Sequence, residues 1–524
     1  MAPLEEPRTY FSRRLLMKTV IAGAVEASAL GCKHAERTAR PEEAERGAAA
    51  QPEQRAAPDS SARRAALVHG EVFTQGHLLR DGGAFPRAES TESCDVVIIG
   101  GGPSGLCAAH LLEGRELILL EKEPQLGGNC STGEWQGVPF STGAAFFTEG
   151  DTDLVELMKS VSAPGLPVQG GDALIVDGKP YFDFFGAGAD SLPFSAAVRR
   201  DFAASAEQAA ELRHKHSSAE LDQRPFHEFL SPFAAEVKKF WDRFGESNWG
   251  GAAEHTSARL GVQAYGWLSG DEKRLTYPGG LGVGVAALAR HLTLRHAGQI
   301  RGSVFVHQIE LEAGKSKRVL VHTLQNGQPH TIRARAAIVA VPKFFASRIV
   351  QPLSPAQRDA MRAYRYAPYP VFNVCLKQAG PQPAYDNWFL DAPFADFVTA
   401  DWVTHAGKRP TNEPSALTVY HPLPEARRSE LLDDARLVHL GEEVVQHLAR
   451  HFPGIEQQVA EMRVYRRGHA LAIPTPGQLQ RAQIASRSEG RIVFAHSDSR
   501  GDVSSLPGAL RAARLAVDAV KKLG

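Results

Sequence analysis

Two glycine clusters and one glutamate stand out in residues 96–130, VVIIGGGPSGLCAAHLLEGRELILLEKEPQLGGNC. Their types and spacing suit a phosphorylated ligand. Gly100 permits a tight turn, Gly102 lets the backbone approach a pyrophosphate, and Gly105 lets a helix pack closely on a strand. Glu121 follows about 20 residues later, where a carboxylate accepts from ribose hydroxyls. Pro103 and Ser104 lie inside the turn and Lys122 follows the acid, so they join the expected cofactor-binding set. Such a set works only between a strand and a helix. CDVVIIG (94–100) is the continuous apolar run of a parallel strand buried on both faces, GGPSGLCAAHLLEG has helical spacing, and ELILLE (116–121) is a second strand. A dinucleotide is expected here, in an α/β fold with a Rossmann-like domain.

The segment after Glu121 bears on which dinucleotide. EKEPQLGGNCST (121–132) places Gly127 and Gly128 directly after the ribose-binding acid. This resembles the G-G-R-x-x-T pattern of the flavin-containing amine oxidase, protoporphyrinogen oxidase and phytoene desaturase superfamily. Gly127, Gly128 and Thr132 match, while Asn129 replaces the arginine, a G-G-N variant that resembles UDP-galactopyranose mutase. TYPGGLGVGVAALARHL (276–292) resembles the superfamily's Y-P-G-G helix opening. IRGSVFVHQIEL and ARAAIVAVPKFF resemble its returning strands, with Val306 where the adenine is met through backbone. GRIVFAHSDSRGDVSSLPGALRAARLAVDAV (490–520) resembles its carboxy-terminal flavin motif. Phe494, Ala495, Gly508 and Ala509 match there, and His496-Ser497-Asp498 replaces the G-D core. The resemblance implies FAD as cofactor, with Asp498, Gly508 and Ala509 among its contacts.

The same resemblance implies a discontinuous cofactor domain (93–149, 255–344 and 471–524) and an inserted α+β substrate domain in two parts. The first part, 150–254, reads as helical; the second, 345–470, reads as strands followed by a helix. VYRRGHALAIPTPG (464–477) resembles the stretch above the flavin ring. It offers Arg467 to hold an anionic group and His469 to relay a proton, with Tyr277 behind them. Asn373 falls where many relatives keep a lysine near flavin N5, so a quinone is as natural an acceptor as oxygen. RHKH (213–216) lacks carboxylate or cysteine partners and reads as a solvated helix face, so no metal site is expected. The implied reaction is hydride transfer from a C–N or C–C unit of a small organic substrate. The alternatives are a redox-neutral flavin-dependent isomerase or mutase and a non-catalytic flavin-binding protein.

The 524 residues suffice for two or three domains, and 43% apolar with 23% charged residues is ordinary for a globular chain. Lys+Arg and Asp+Glu are both 59, which gives no electrostatic reason to expect nucleic acid. Five cysteines without C-x-x-C spacing indicate neither zinc nor a disulfide framework. SRRLLMK (12–18) and the mild apolar run to Cys32 resemble a twin-arginine export signal, and ALGC resembles a lipoprotein cleavage box. Residues 1–32 are thus read as a signal, and 33–70, rich in Ala, Glu, Arg and Pro, as a disordered tether. The expected location is the periplasm or cell envelope, with membrane attachment through a lipidated Cys32.

Overall fold

The computed structural model describes residues 66–268, 273–314 and 318–523, so the signal and most of the tether lie outside the described residues. Strand Ser90–Ile99 has the buried β-branched run expected of a central parallel strand. It pairs in parallel with Leu117–Leu120 on one side and with Gln328–Val339 on the other. Ile300–Arg301 extends the sheet beyond Leu117–Leu120, and Ile492–Phe494 pairs in parallel with Gln328–Val339. An antiparallel meander, Val304–Leu311, Val319–Gln325 and Gln328–Val339, completes the seven strands. One face packs on helices Pro103–Leu111, Gly282–Arg295 and Leu506–Lys522 through Leu106, Val285, Leu288, Leu510 and Val517. The other packs on the meander and on helices Lys343–Ile349 and Pro355–Arg362. This is the three-layered α/β sandwich that buried parallel strands require.

A second sheet of eight strands runs Ala66–Gly70, Val459–Arg466, Val371–Leu376, Ser415–Tyr420, Asp396–Thr399, Asp386–Phe389, Ala173–Val176, Lys179–Phe182. Helix Asp434–His451 covers one face through Leu437, Leu440, Val444 and Leu448. Helices within residues 196–268 build an aromatic core around Phe240, Trp241 and Trp249, which reaches the sheet at Trp388.

Two boundaries differ from the sequence reading. The tether does not run to residue 70, because Ala66–Gly70 pairs in parallel with Val459–Arg466 as an edge strand. Its ALV run supplies the apolar side chains that a disordered tether lacks. Residues 150–254 are not helical throughout, because Ala173–Val176 and Lys179–Phe182 form a hairpin at the sheet's far edge. Asp177 (φ 48°) and Gly178 (φ 74°) make its turn, the Asp-Gly pair that two-residue hairpins favour. At 213–216, His214 and Lys215 are exposed in the last turn of helix Ala196–Lys215.

Candidate functional site

The two glycine clusters meet. Gly100 takes φ +105° at the end of its strand, and a Cβ on Gly105 would lie 1.8 Å from the Gly100 carbonyl oxygen. Only glycine allows that helix to approach that strand. Gly127 donates to the Gly101 carbonyl at 2.9 Å. Gly128 (φ +56°) packs on Gly102, where an added Cβ would meet nothing nearer than the Gly128 Cα at 3.9 Å. Space therefore opens at Gly102, at the amino terminus of helix Pro103–Leu111, where first-turn N–H groups and the helix dipole favour phosphate. Ser104 is buried in that first turn.

Glu121 closes the cradle. Its carboxylate accepts from the Gly101 N–H at 2.6 Å and the Glu123 N–H at 2.9 Å. Burial pushes its pKa up, against the lowering effect of those two hydrogen bonds. Each oxygen keeps a lone pair for a ribose hydroxyl. Strand Val304–Leu311, which carries the buried Val306, begins beside it, with Val304 N–H donating to the Glu121 carbonyl at 2.8 Å. The open space at Gly102 and the buried acceptor at Glu121 fit a dinucleotide's pyrophosphate and ribose.

Asn129 and Arg467 also come together here. Asn129 Nδ2 donates to the Ala470 carbonyl at 2.8 Å, and Arg467 Nη2 donates to Ser131 Oγ at 3.0 Å and Thr142 Oγ1 at 3.3 Å. Arg467 Nε is buried without a partner. Asn373 is fully buried, its Oδ1 accepting from Thr418 Oγ1 at 2.8 Å and its Nδ2 lacking a partner.

Other expected residues lie elsewhere or are already engaged. Lys122 pairs with Glu123 and approaches Glu71 at 3.9 Å, so its ammonium serves the surface rather than the glycine loop. Tyr277 is a core residue; its hydroxyl donates to the Ala163 carbonyl at 2.7 Å and burial pushes its pKa up to about 12. His469 stacks on Phe344 with centroids 4.1 Å apart, and burial, then Arg428, push it down to about 3. A ring neutral across the physiological range cannot relay protons there by titrating. Asp498, only 1% exposed, is not free for a cofactor. Its oxygens accept from Lys343 Nζ at 2.7 Å, the Lys343 N–H at 3.0 Å and the Tyr366 hydroxyl at 2.6 Å, with His496 Nδ1 at 3.0 Å. The carboxyl stays far below its usual range because His496 and Lys343 outweigh the opposing effect of burial. Ser505 Oγ accepts the Gly508 N–H at 3.1 Å, and Ser505 O accepts the Ala509 N–H at 2.9 Å. Helix Leu506–Lys522 can therefore contribute its dipole, but not those two donors.

No sequence pattern marks the residues that face this region from the second sheet. Tyr369, Tyr385 and Tyr420 cluster with Phe146 and Ala470. Tyr420 donates to the Gly143 carbonyl at 2.7 Å, and Tyr385 reaches the Ala145 carbonyl at 3.5 Å. Tyr369 and Tyr420 meet edge to face at 6.2 Å. Behind them Asp386 and Asp396 are buried, each with Oδ1 lacking a partner. Burial, then the neighbouring carboxylate, raises Asp386, and burial pushes Asp396 up to about 7. Burial thus drives both carboxyls toward the neutral, protonated form. Asp386 and Asp396 open the consecutive antiparallel strands Asp386–Phe389 and Asp396–Thr399, and no motif in that stretch announces them.

A model of the flavin containing amine oxidoreductase family matches residues 103–521. Among solved structures, wild-type putrescine oxidase bound to putrescine is 19% identical, covering 82% of this chain and 99% of that chain with a TM-score of 0.62. Cyclohexylamine oxidase from Brevibacterium oxydans IH-35A is 19% identical over the same shares, with a TM-score of 0.63. At that identity the likeness concerns the fold. An inactive all-trans-retinol 13,14-reductase from Danio rerio is 33% identical over 91 residues, 16% of this chain, and the match spans only 15% of that protein's length.

Proposed function

The chain belongs to the flavin containing amine oxidoreductase family and is an FAD-dependent oxidoreductase; from that premise we propose that it removes a hydride from a C–N or C–C unit of a small or lipophilic organic substrate. The observation that carries this reading is the packing of Gly127–Gly128 on Gly102 beside the buried Glu121 carboxylate. When bound, FAD supplies the hydride-accepting ring. The glycine turns and the amino terminus of helix Pro103–Leu111 hold the pyrophosphate, and Glu121 accepts from ribose. Tyr369, Tyr385 and Tyr420 exclude water on the substrate side, and Asn129 ties the cofactor loop to residue 470. Asn373 offers a neutral amide rather than an ammonium, which supports a quinone as readily as oxygen as the electron acceptor.

Purified protein should absorb near 450 nm (roughly, as oxidised flavins do) and release FAD on denaturation. Release of another nucleotide would overturn the cofactor assignment. Anaerobic mixing with amines, amino acids, polyenes and porphyrinogens should bleach the flavin with one class. Product formation without net bleaching would make the protein a redox-neutral flavin enzyme instead.

Export as a folded flavoprotein through the twin-arginine route, with lipidation at Cys32, completes the proposal. It rests on residues 12–18 and on the composition of the tether. FAD is made in the cytoplasm, and the site joins residues 100–128 to helix Leu506–Lys522 through the packing of Leu106 and Leu510, so it requires the complete fold. Arg13→Lys with Arg14→Lys should leave yellow protein in the cytoplasm on cell fractionation. Full export of that variant would remove the signal assignment.

A further inference from the structure

Helix Asp434–His451 ends in HLARH, which puts His447 and His451 one turn apart on one face. Both rings are buried, at 4% and 9% exposure, among Phe389, Phe394 and Phe452. Their Nε2 atoms lie 3.3 Å apart, and Asp391 Oδ1 lies 3.7 Å from one and 3.6 Å from the other. Asp391 is 65% exposed and opens the group to solvent. A cation equidistant from atoms at these separations sits about 2.1 Å from each, within the bond lengths of zinc to imidazole nitrogen and carboxylate oxygen.

We propose that His447, His451 and Asp391 form a structural site for a divalent transition cation of the zinc class, with water completing its coordination. The cation clasps the end of helix Asp434–His451 to the loop after strand Asp386–Phe389. This proposal departs from the sequence expectation of no metal site. The Gly178 N–H donates to His451 Nδ1 at 3.2 Å, so the neutral ring carries its proton on Nε2 before metal arrives. Binding moves that proton to Nδ1 and releases the Gly178 N–H. Three protein ligands and the loss of this hydrogen bond make the affinity weaker than that of a closed four-ligand site. A second group, His110, Glu113 and His291, has similar residue types. There Arg295 already forms a tight ion pair with Glu113, so that carboxylate is engaged.

The test titrates zinc chloride into chelator-treated, FAD-loaded protein by calorimetry. One zinc per chain should bind in the micromolar range and raise the melting temperature by about 2 °C at saturation. Hydrogen-exchange protection at the Gly178 amide should fall. His447→Gln with His451→Gln should weaken binding at least 100-fold, Asp391→Asn about ten-fold, and His110→Gln with His291→Gln not at all. Asp391 is exposed, so its variant tests the site even where the histidine pair fails to fold. No binding up to 100-fold above the micromolar range, or binding unchanged by Asp391→Asn, overturns the proposal.

Discussion

Gly102 and Gly105 sit three residues apart in one motif, yet they are glycine for different reasons. Gly105 is demanded by the protein itself, because its Cβ would collide with the Gly100 oxygen at 1.8 Å. Gly102 has ordinary backbone angles (φ −74°, ψ −178°) and no protein atom within 3.8 Å of an added Cβ. Gly105→Ala should therefore destabilise the apoprotein by several kcal/mol, as a backbone clash does. Gly102→Val should cost the apoprotein only about 1 kcal/mol as a poorer helix cap, but weaken FAD binding at least 100-fold. Urea unfolding of both apoproteins and FAD titration of the folded variant check this pair. Equal stability loss in the two would remove the distinction. The glycines and Glu121 were legible in the sequence because a backbone turn and a ribose acceptor each require particular residue types at fixed spacing. His469 and Tyr277 were not, because a histidine's role depends on neighbours such as Phe344 and Arg428 that only the fold supplies.

Packing between elements engages Asp498 with Lys343 and Tyr366 rather than with a cofactor. Lys343 opens helix Lys343–Ile349 after the strand Gln328–Val339, and Asp498 lies in the turn before helix Leu506–Lys522. Their fully buried ion pair ties the middle of the chain to its end, with Tyr364 donating to the Asp498 carbonyl at 2.9 Å. Removing one partner strands a buried charge, at a cost of about 3–5 kcal/mol. Lys343→Met and Asp498→Asn should each lower stability by that amount, while the double variant loses at least 1 kcal/mol less than the sum. Simple additivity in urea unfolding would show that the pair is not a unit. Sequence periodicity identified the central parallel strands, whose both-sided burial leaves a continuous apolar run. It missed Ala66–Gly70 and the hairpin 173–182, because four- or five-residue strands at a sheet edge give too short a pattern. The Asp177-Gly178 pair was the one local signal for that hairpin.

For the whole molecule, acid response follows from which titratable groups folding buries. His421 is 2% exposed, both ring nitrogens lack partners, and burial pushes it down to about 4. Its ordinary value is about 6.5, so below that the unfolded chain binds a proton that the folded chain refuses. Stability is therefore lost as pH falls from about 6.5 toward 4. Asp396, pushed up to about 7 by burial, works in the opposite direction. Its folded form holds a proton that the unfolded form releases above about 4, so its contribution is present in acid and lost as pH rises through 7. Between pH 7 and pH 5 His421 is worth about 2 kcal/mol, and Asp396 acts with the opposite sign. His421→Leu should therefore make the loss of stability on acidification shallower than in the parent, and Asp396→Asn should make it steeper. Melting temperatures of the three proteins at pH 7, 6 and 5 measure both slopes against the parent. A shared direction of change in the two variants would mean that burial does not set these protonation states.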